Sequence, residues 1–148
     1  MENNERIRRP TPEELLLIEH LAKKAHYTLM PDWQQGMWAD RITEDKIGAI
    51  AIAMNNEKPV KFKHSRLIAD CQFKDEDNMG VAAYLLVDDD ESLCELDLWK
   101  FDETEIRSLP SSTDKFEDIP MGETNKVGEC MENIIDKAAL LLRKIWKR

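Results

Sequence analysis

The stretch Cys94-Glu95-Leu96-Asp97-Leu98-Trp99-Lys100-Phe101-Asp102 decides the fold, because apolar and polar side chains alternate along it with a period of two. Alternation places Cys94, Leu96 and Leu98 on one face and Glu95, Asp97, Trp99 and Phe101 on the other. No helical spacing accounts for that pattern better, so the segment reads as a strand carrying two carboxylates and an aromatic on one side.

Working outward, Arg66 to Lys74 alternates Leu67, Ala69, Cys71 and Phe73 against Ile68, Asp70 and Gln72, and Val81 to Val87 is apolar on both sides. Between these strands lie Asp75-Glu76-Asp77-Asn78-Met79-Gly80 and Asp88 to Ser92, both with turn chemistry, which predicts an antiparallel meander. Ile47 to Met54 supplies an earlier strand, ended by the turn Asn55-Asn56-Glu57-Lys58-Pro59, and Val60 to Lys63 offers a short edge piece. With regular hairpins, Val87 pairs with Leu93, Ala83 with Asp97, Val81 with Trp99, and Cys71 with Ala83. Asp97 then sits among apolar neighbours. Either a bulge shifts the register so that Glu95 and Asp97 face water, or one face is a mixed surface awaiting a partner, or a buried carboxylate needs donors.

Helices flank the strands. Thr11 is a suitable N-cap, Pro12 occupies the first helical position, and Glu14 completes a capping box, so a helix starts at Pro12 and fades near His26. Leu15, Ile18, Leu21, Ala22 and Ala25 give it an apolar face. From Tyr27 to Lys46 the pattern breaks up around Trp33, Gly36, Met37 and Trp38, an irregular segment pinned by aromatics. Thr104 to Leu109 reads as one helical turn before an extended linker to Pro120. Thr124 or Asn125 caps a last helix whose stripe runs from Val127 to Ile145, about six turns, with Trp146 completing the core. Lys144, Lys147 and Arg148 suit its C-terminal dipole better than a binding patch. The expected fold is α+β: a meander of about four antiparallel strands with the N-terminal and C-terminal helices packed on it, one domain over residues 10–148 behind a flexible tail of residues 1–9.

The chain has 148 residues, 42% hydrophobic and 34% charged, and its longest apolar runs are too short to cross a bilayer. The opening residues lack the apolar core of a secretory signal, which points to the cytoplasm. Cys71, Cys94 and Cys130 form no close pair and read as buried reduced thiols. A net charge of −9, from 21 basic and 30 acidic residues, repels phosphate backbones and disfavours nucleic acid as a partner.

Chemical signatures are sparse. Asp75-x-Asp77-x-x-Gly80 has the beginning of a calcium loop, but Met79 and Leu86 stand where ligands are needed, so an acidic turn is the better reading. His20, His26 and His64 lack metal-ligand spacing, and five glycines leave little material for cradling phosphate, so no metal, no cofactor and no catalytic residue is assigned. Glu95 and Asp97 share a face, as general acid and base would, although strand carboxylates are more often solvated or paired. Trp99 beside two acids suits an aromatic anchor for a basic partner.

Arg9-Pro10-Thr11-Pro12-Glu13-Glu14 leading into a leucine-rich helix, then Glu95 to Asp102 followed by Ile106 to Pro110, resembles a bacterial family of unknown function. In that family a strand ends in a Leu-Trp-Lys-x-Asp pattern before a Leu-Pro-like turn. The resemblance covers the two ends of the first 110 residues. The chain departs from it between Pro31 and Lys46, which lacks a glycine pair, and in its added C-terminal helix. The resemblance implies no activity. By type, small acidic α+β proteins are also similar to immunity proteins of polymorphic toxin systems. The functional expectation is therefore a non-enzymatic immunity protein that binds a basic toxin domain through Asp70, Glu95, Asp97 and Trp99 with Asp88, Asp89 and Asp90. One alternative is a homo-oligomeric structural or regulatory protein, in the simplest case a homodimer, whose mixed sheet face pairs with its own copy. The other is a hydrolase using Asp70, Glu95 or Asp97.

Overall fold

A computed structural model describes residues 6–42 and 48–120. It is an α+β fold in which one helix, α1 (Pro12–Lys24), packs on a five-stranded antiparallel sheet. The strands are β1 (Trp38–Arg41), β2 (Ile50–Ala53), β3 (Ser65–Lys74), β4 (Gly80–Asp88) and β5 (Leu93–Lys100), in the order β1-β2-β5-β4-β3. The expected meander is present as β3-β4-β5. The expected count of about four becomes five, because β1 joins the outer side of β2, the strand expected within Ile47 to Met54. Val60 to Lys63 forms no strand, and Thr104 to Leu109 forms no helical turn. The expected helix from Thr124 to Trp146, with Cys130, lies outside the described residues.

The helix starts as its sequence dictates. The Glu14 amide donates to Thr11 Oγ1 at 3.1 Å and the Thr11 amide donates to Glu14 Oε1 at 2.9 Å, so two otherwise orphaned donors are satisfied together. Leu17, Ile18, Leu21 and Ala22 are buried against Ala69, Cys71, Phe73, Val81, Ala83, Leu85 and Leu96 of the sheet. Each large aliphatic side chain removed from water there contributes about 2 kcal/mol. Residues 8 and 9, expected in a tail, are held in place. Arg8 exchanges both backbone hydrogen bonds with Ala39, at 2.9 and 2.7 Å, and the Arg9 guanidinium lies 3.7 Å from the Trp38 ring centroid.

The register between β4 and β5 is where the structure departs most from the expected pairing. Val87 does pair with Leu93, and Cys71 with Ala83, but Ala83 pairs with Leu98 and Val81 with Lys100. Cys94 is the extra residue of a bulge between Leu86↔Glu95 and Val87↔Leu93. A second bulge, at Ile68 in β3, lies across β4 at the same level. The shift moves Cys94 off the face of Leu96 and Leu98 and into a cluster with Ala82, Tyr84, Leu86 and Trp99 on the far side of the sheet. It also sets Lys100 opposite Val81, on the helix-facing side that Lys100 shares by alternation with Leu96 and Leu98. Cys71 and Cys94 are buried free thiols, which burial pushes up to about 12, well above the range in which a thiolate reacts.

Candidate functional site

The end of β5 holds the strongest polar cluster in the fold. Lys100 is fully buried, a position where an unpaired ammonium is costly. Its Nζ donates at 2.8 Å to Asp75 Oδ2, at 2.8 Å to Asp77 Oδ2 and at 3.2 Å to the Glu105 carbonyl. Asp75 accepts further hydrogen bonds from the amides of Glu76 at 2.7 Å, Arg107 at 2.8 Å and Ser108 at 3.1 Å. Burial alone would raise the Asp75 carboxyl, but the ammonium and the three amides outweigh it and hold the group down to about 2. Burial likewise opposes the Lys100 charge, and the two carboxylates keep its pKa above the ordinary lysine value. The acid spacing Asp75-x-Asp77 thus serves a cation, and that cation is the chain's own lysine. Its geometry ties three pieces together: the β3–β4 turn, the end of β5, and the strap of residues 105–110.

Phe101 emerges beside this cluster. A Cβ at Gly80 would stand 2.6 Å from the Phe101 ring, so the glycine is what lets the ring lie against the start of β4. The ring meets Trp99 edge-on, with centroids 5.8 Å apart, and Phe101 remains 48% exposed. Glu76, Asp102 and Glu103 are exposed on the same corner.

The residues singled out from sequence divide into three groups. Asp70, Glu95, Asp97 and Trp99 do share one face, with Asp70 and Asp97 pairing from either side with Tyr84. Asp97 is fully buried, however, and Trp99 packs into the Tyr84 cluster, so neither is an open surface residue. Glu95 is half-buried, and burial pushes its carboxyl up to about 7. Asp88 is buried and builds the β4–β5 turn: it accepts from the amides of Asp90 at 2.8 Å and Ser92 at 3.0 Å and pairs with Lys63 at 2.9 Å. Asp89 and Asp90 are exposed, the former 2.8 Å from His64 Nδ1. Two clefts, one beside the N-terminus of α1 and one along the strap, are lined by residues other than Asp70, Glu95 and Asp97. Among the described residues no group of three or more His, Cys, Asp or Glu side chains is arranged to hold a metal, and no helix is long and apolar enough to cross a membrane.

Lys100 and Phe101 were missed as site residues by sequence reasoning. The signal was present: Leu96, Leu98 and Lys100 share one phase of the strand, so a lysine falls at a core position two residues beyond two leucines.

Residues 7–110 match the family model of a domain of unknown function, DUF6984. The chain belongs to that family. The DUF6984 match begins at the residue before the Arg8–Ala39 bridge and ends with the strap, so it takes in α1, all five strands and the Lys100 cluster. No curated protein and no solved structure matches the chain.

Proposed function

We propose that this DUF6984 protein is a non-enzymatic protein-binding protein of the immunity type, whose acidic corner receives a basic toxin domain. One observation carries the reading: exposed Phe101 stands among the exposed carboxylates of Glu76, Asp102 and Glu103, on a corner fixed by the Lys100–Asp75–Asp77 cluster. An aromatic anchor inside an acidic rim suits a basic partner, the aromatic giving affinity and the rim steering encounter. A corner held rigid before binding loses little entropy on association.

The segment Leu98-Trp99-Lys100-Phe101-Asp102 gains a physical meaning on this reading. Leu98 packs in the core, Trp99 backs the Phe101 ring, Lys100 locks the turn, and Asp102 contributes to the rim while accepting from the Thr104 amide at 3.1 Å. Asp89 and Asp90 extend the acidic surface at the opposite end of β5.

The test is binding to the product of a toxin-like gene encoded beside this one, measured by calorimetry. Phe101→Ala is expected to weaken association by at least about tenfold and Glu103→Lys by about three- to tenfold, with folding unchanged because both side chains are exposed. Absence of binding, or binding indifferent to both substitutions, removes the proposal.

A further inference from the structure

A cleft beside the N-terminus of α1 is lined by four arginines and three glutamates, in a chain whose acids outnumber its bases. It encloses about 890 Å³ between the N-terminus of α1, the edge of the sheet and the strap. Its lining includes Arg6, Arg8, Arg41 and Arg107 against Glu13, Glu14 and Glu105, an excess of basic groups in a chain with 30 acidic residues and 21 basic ones. Arg8 is committed, its two guanidinium nitrogens donating at 2.8 and 2.9 Å to the two oxygens of Glu14. Arg6 lies 4.0 Å from Asp40, and Arg41 and Arg107 are less engaged. Among the described residues Arg41 makes no ion pair, and Arg107, 62% exposed at its side chain, has only a 3.9 Å contact with Asp77.

The apolar part of the lining is formed by Ile50, Leu98, Ile106 and Leu109. Its closeness depends on Gly48, which adopts φ +118° and whose absent Cβ would lie 3.0 Å from both Ile106 Cδ1 and Leu98 Cβ. One wall is set by the Lys100 cluster, since the Arg107 and Ser108 amides are the ones bound to Asp75. Arg107 is therefore presented on a strap of fixed position.

A guanidinium fork matches the planar geometry of carboxylate and the oxygens of phosphate, and a cleft of this size accommodates a small organic molecule. We infer that the cleft binds a small organic oxyanion, a phosphate or carboxylate carried on an apolar body, with the oxyanion on Arg41 and Arg107 and the body on Ile50, Leu98, Ile106 and Leu109. This site is separate from the acidic corner and does not depend on that reading.

Calorimetric titration of the full chain with AMP, octanoate and inorganic phosphate tests the inference. At least one of AMP and octanoate is expected to bind with Kd below about 1 mM, and inorganic phosphate, lacking the body, about tenfold more weakly. Binding of AMP alone assigns a phosphate ligand; binding of octanoate alone assigns a carboxylate. Arg41→Ala and Arg107→Ala, both at exposed positions, should each weaken binding about fivefold or more, while Arg66→Ala, on β3 and paired with Glu91, leaves it unchanged. The inference is overturned if neither organic probe binds, if inorganic phosphate binds as tightly as they do, or if the Arg41 and Arg107 variants bind as well as the parent.

Discussion

Glu95 titrates against its own fold. Its carboxyl is raised from 4.5 to about 7 by burial, with no hydrogen bond or ion pair from the described residues to offset the loss of water. A raised acid binds its proton more tightly folded than unfolded. The protonated fold is therefore favoured below pH 4.5, and stability falls as pH rises from there through 7. Above that range the ionised group costs up to about 3 kcal/mol. Glu95→Gln should recover most of this at pH 8 and change nothing at pH 4, which urea unfolding of both proteins at the two pH values measures. Sequence showed that Glu95, Asp97 and Trp99 lie together, since alternation is local. It did not show that Cys94 joins them, because a bulge adds one residue without altering composition or periodicity. The one-residue shift changes only the partner of Lys100, which stands opposite Val81, while alternation with Leu96 and Leu98 already puts it on the core side.

At the scale of elements, the Lys100 cluster replaces regular secondary structure as the tie between the β3–β4 turn and the strap. Asp75 carries four interactions there, to Lys100, Glu76, Arg107 and Ser108. Asp75→Ala would leave two strap amides without their acceptor and the buried Lys100 ammonium with only Asp77 and the Glu105 carbonyl, an expected loss of about 3–5 kcal/mol. Hydrogen exchange of the Arg107 and Ser108 amides should accelerate with it, while the amides of α1 change only as global stability falls. The acid dependence follows from the depressed carboxyl: the contribution of Asp75 is complete above its ordinary pKa of 3.8 and is lost as pH falls towards about 2. By contrast, Thr11→Ala removes one cap bond of the box and should cost about 1 kcal/mol in thermal unfolding. Sequence located α1 and the meander because capping and alternation are short-range signals. It missed β1, whose four residues Trp-Ala-Asp-Arg carry no sustained alternation and become a strand by pairing with β2. It also read the strap as a helical turn, because nothing local reveals that its amides are claimed by Asp75, 32 and 33 residues away.

For the whole molecule, the net charge of −9 is unevenly expressed on the surface. Exposed acids gather at the Phe101 corner and at the β4–β5 turn, whereas the cleft beside the helix N-terminus gathers arginine. Lys63, His64 and Arg66 temper the β4–β5 turn through their contacts with Asp88, Asp89 and Glu91, which leaves the Phe101 corner as the less neutralised of the two acidic ends. An interaction steered by such a field acts mainly on encounter. Raising salt from 0.05 to 0.5 M, about a threefold shorter screening length, should lower the association rate with a basic partner by about tenfold or more and leave dissociation nearly constant. Phe101→Ala should do the reverse, because a buried anchor governs how long the complex lasts rather than how often it forms. Stopped-flow measurements on the parent, Phe101→Ala and Glu103→Lys separate the two contributions. If salt slows association while Glu103→Lys leaves it untouched, the steering charge lies elsewhere on the molecule, with Asp89 and Asp90 the next group to reverse.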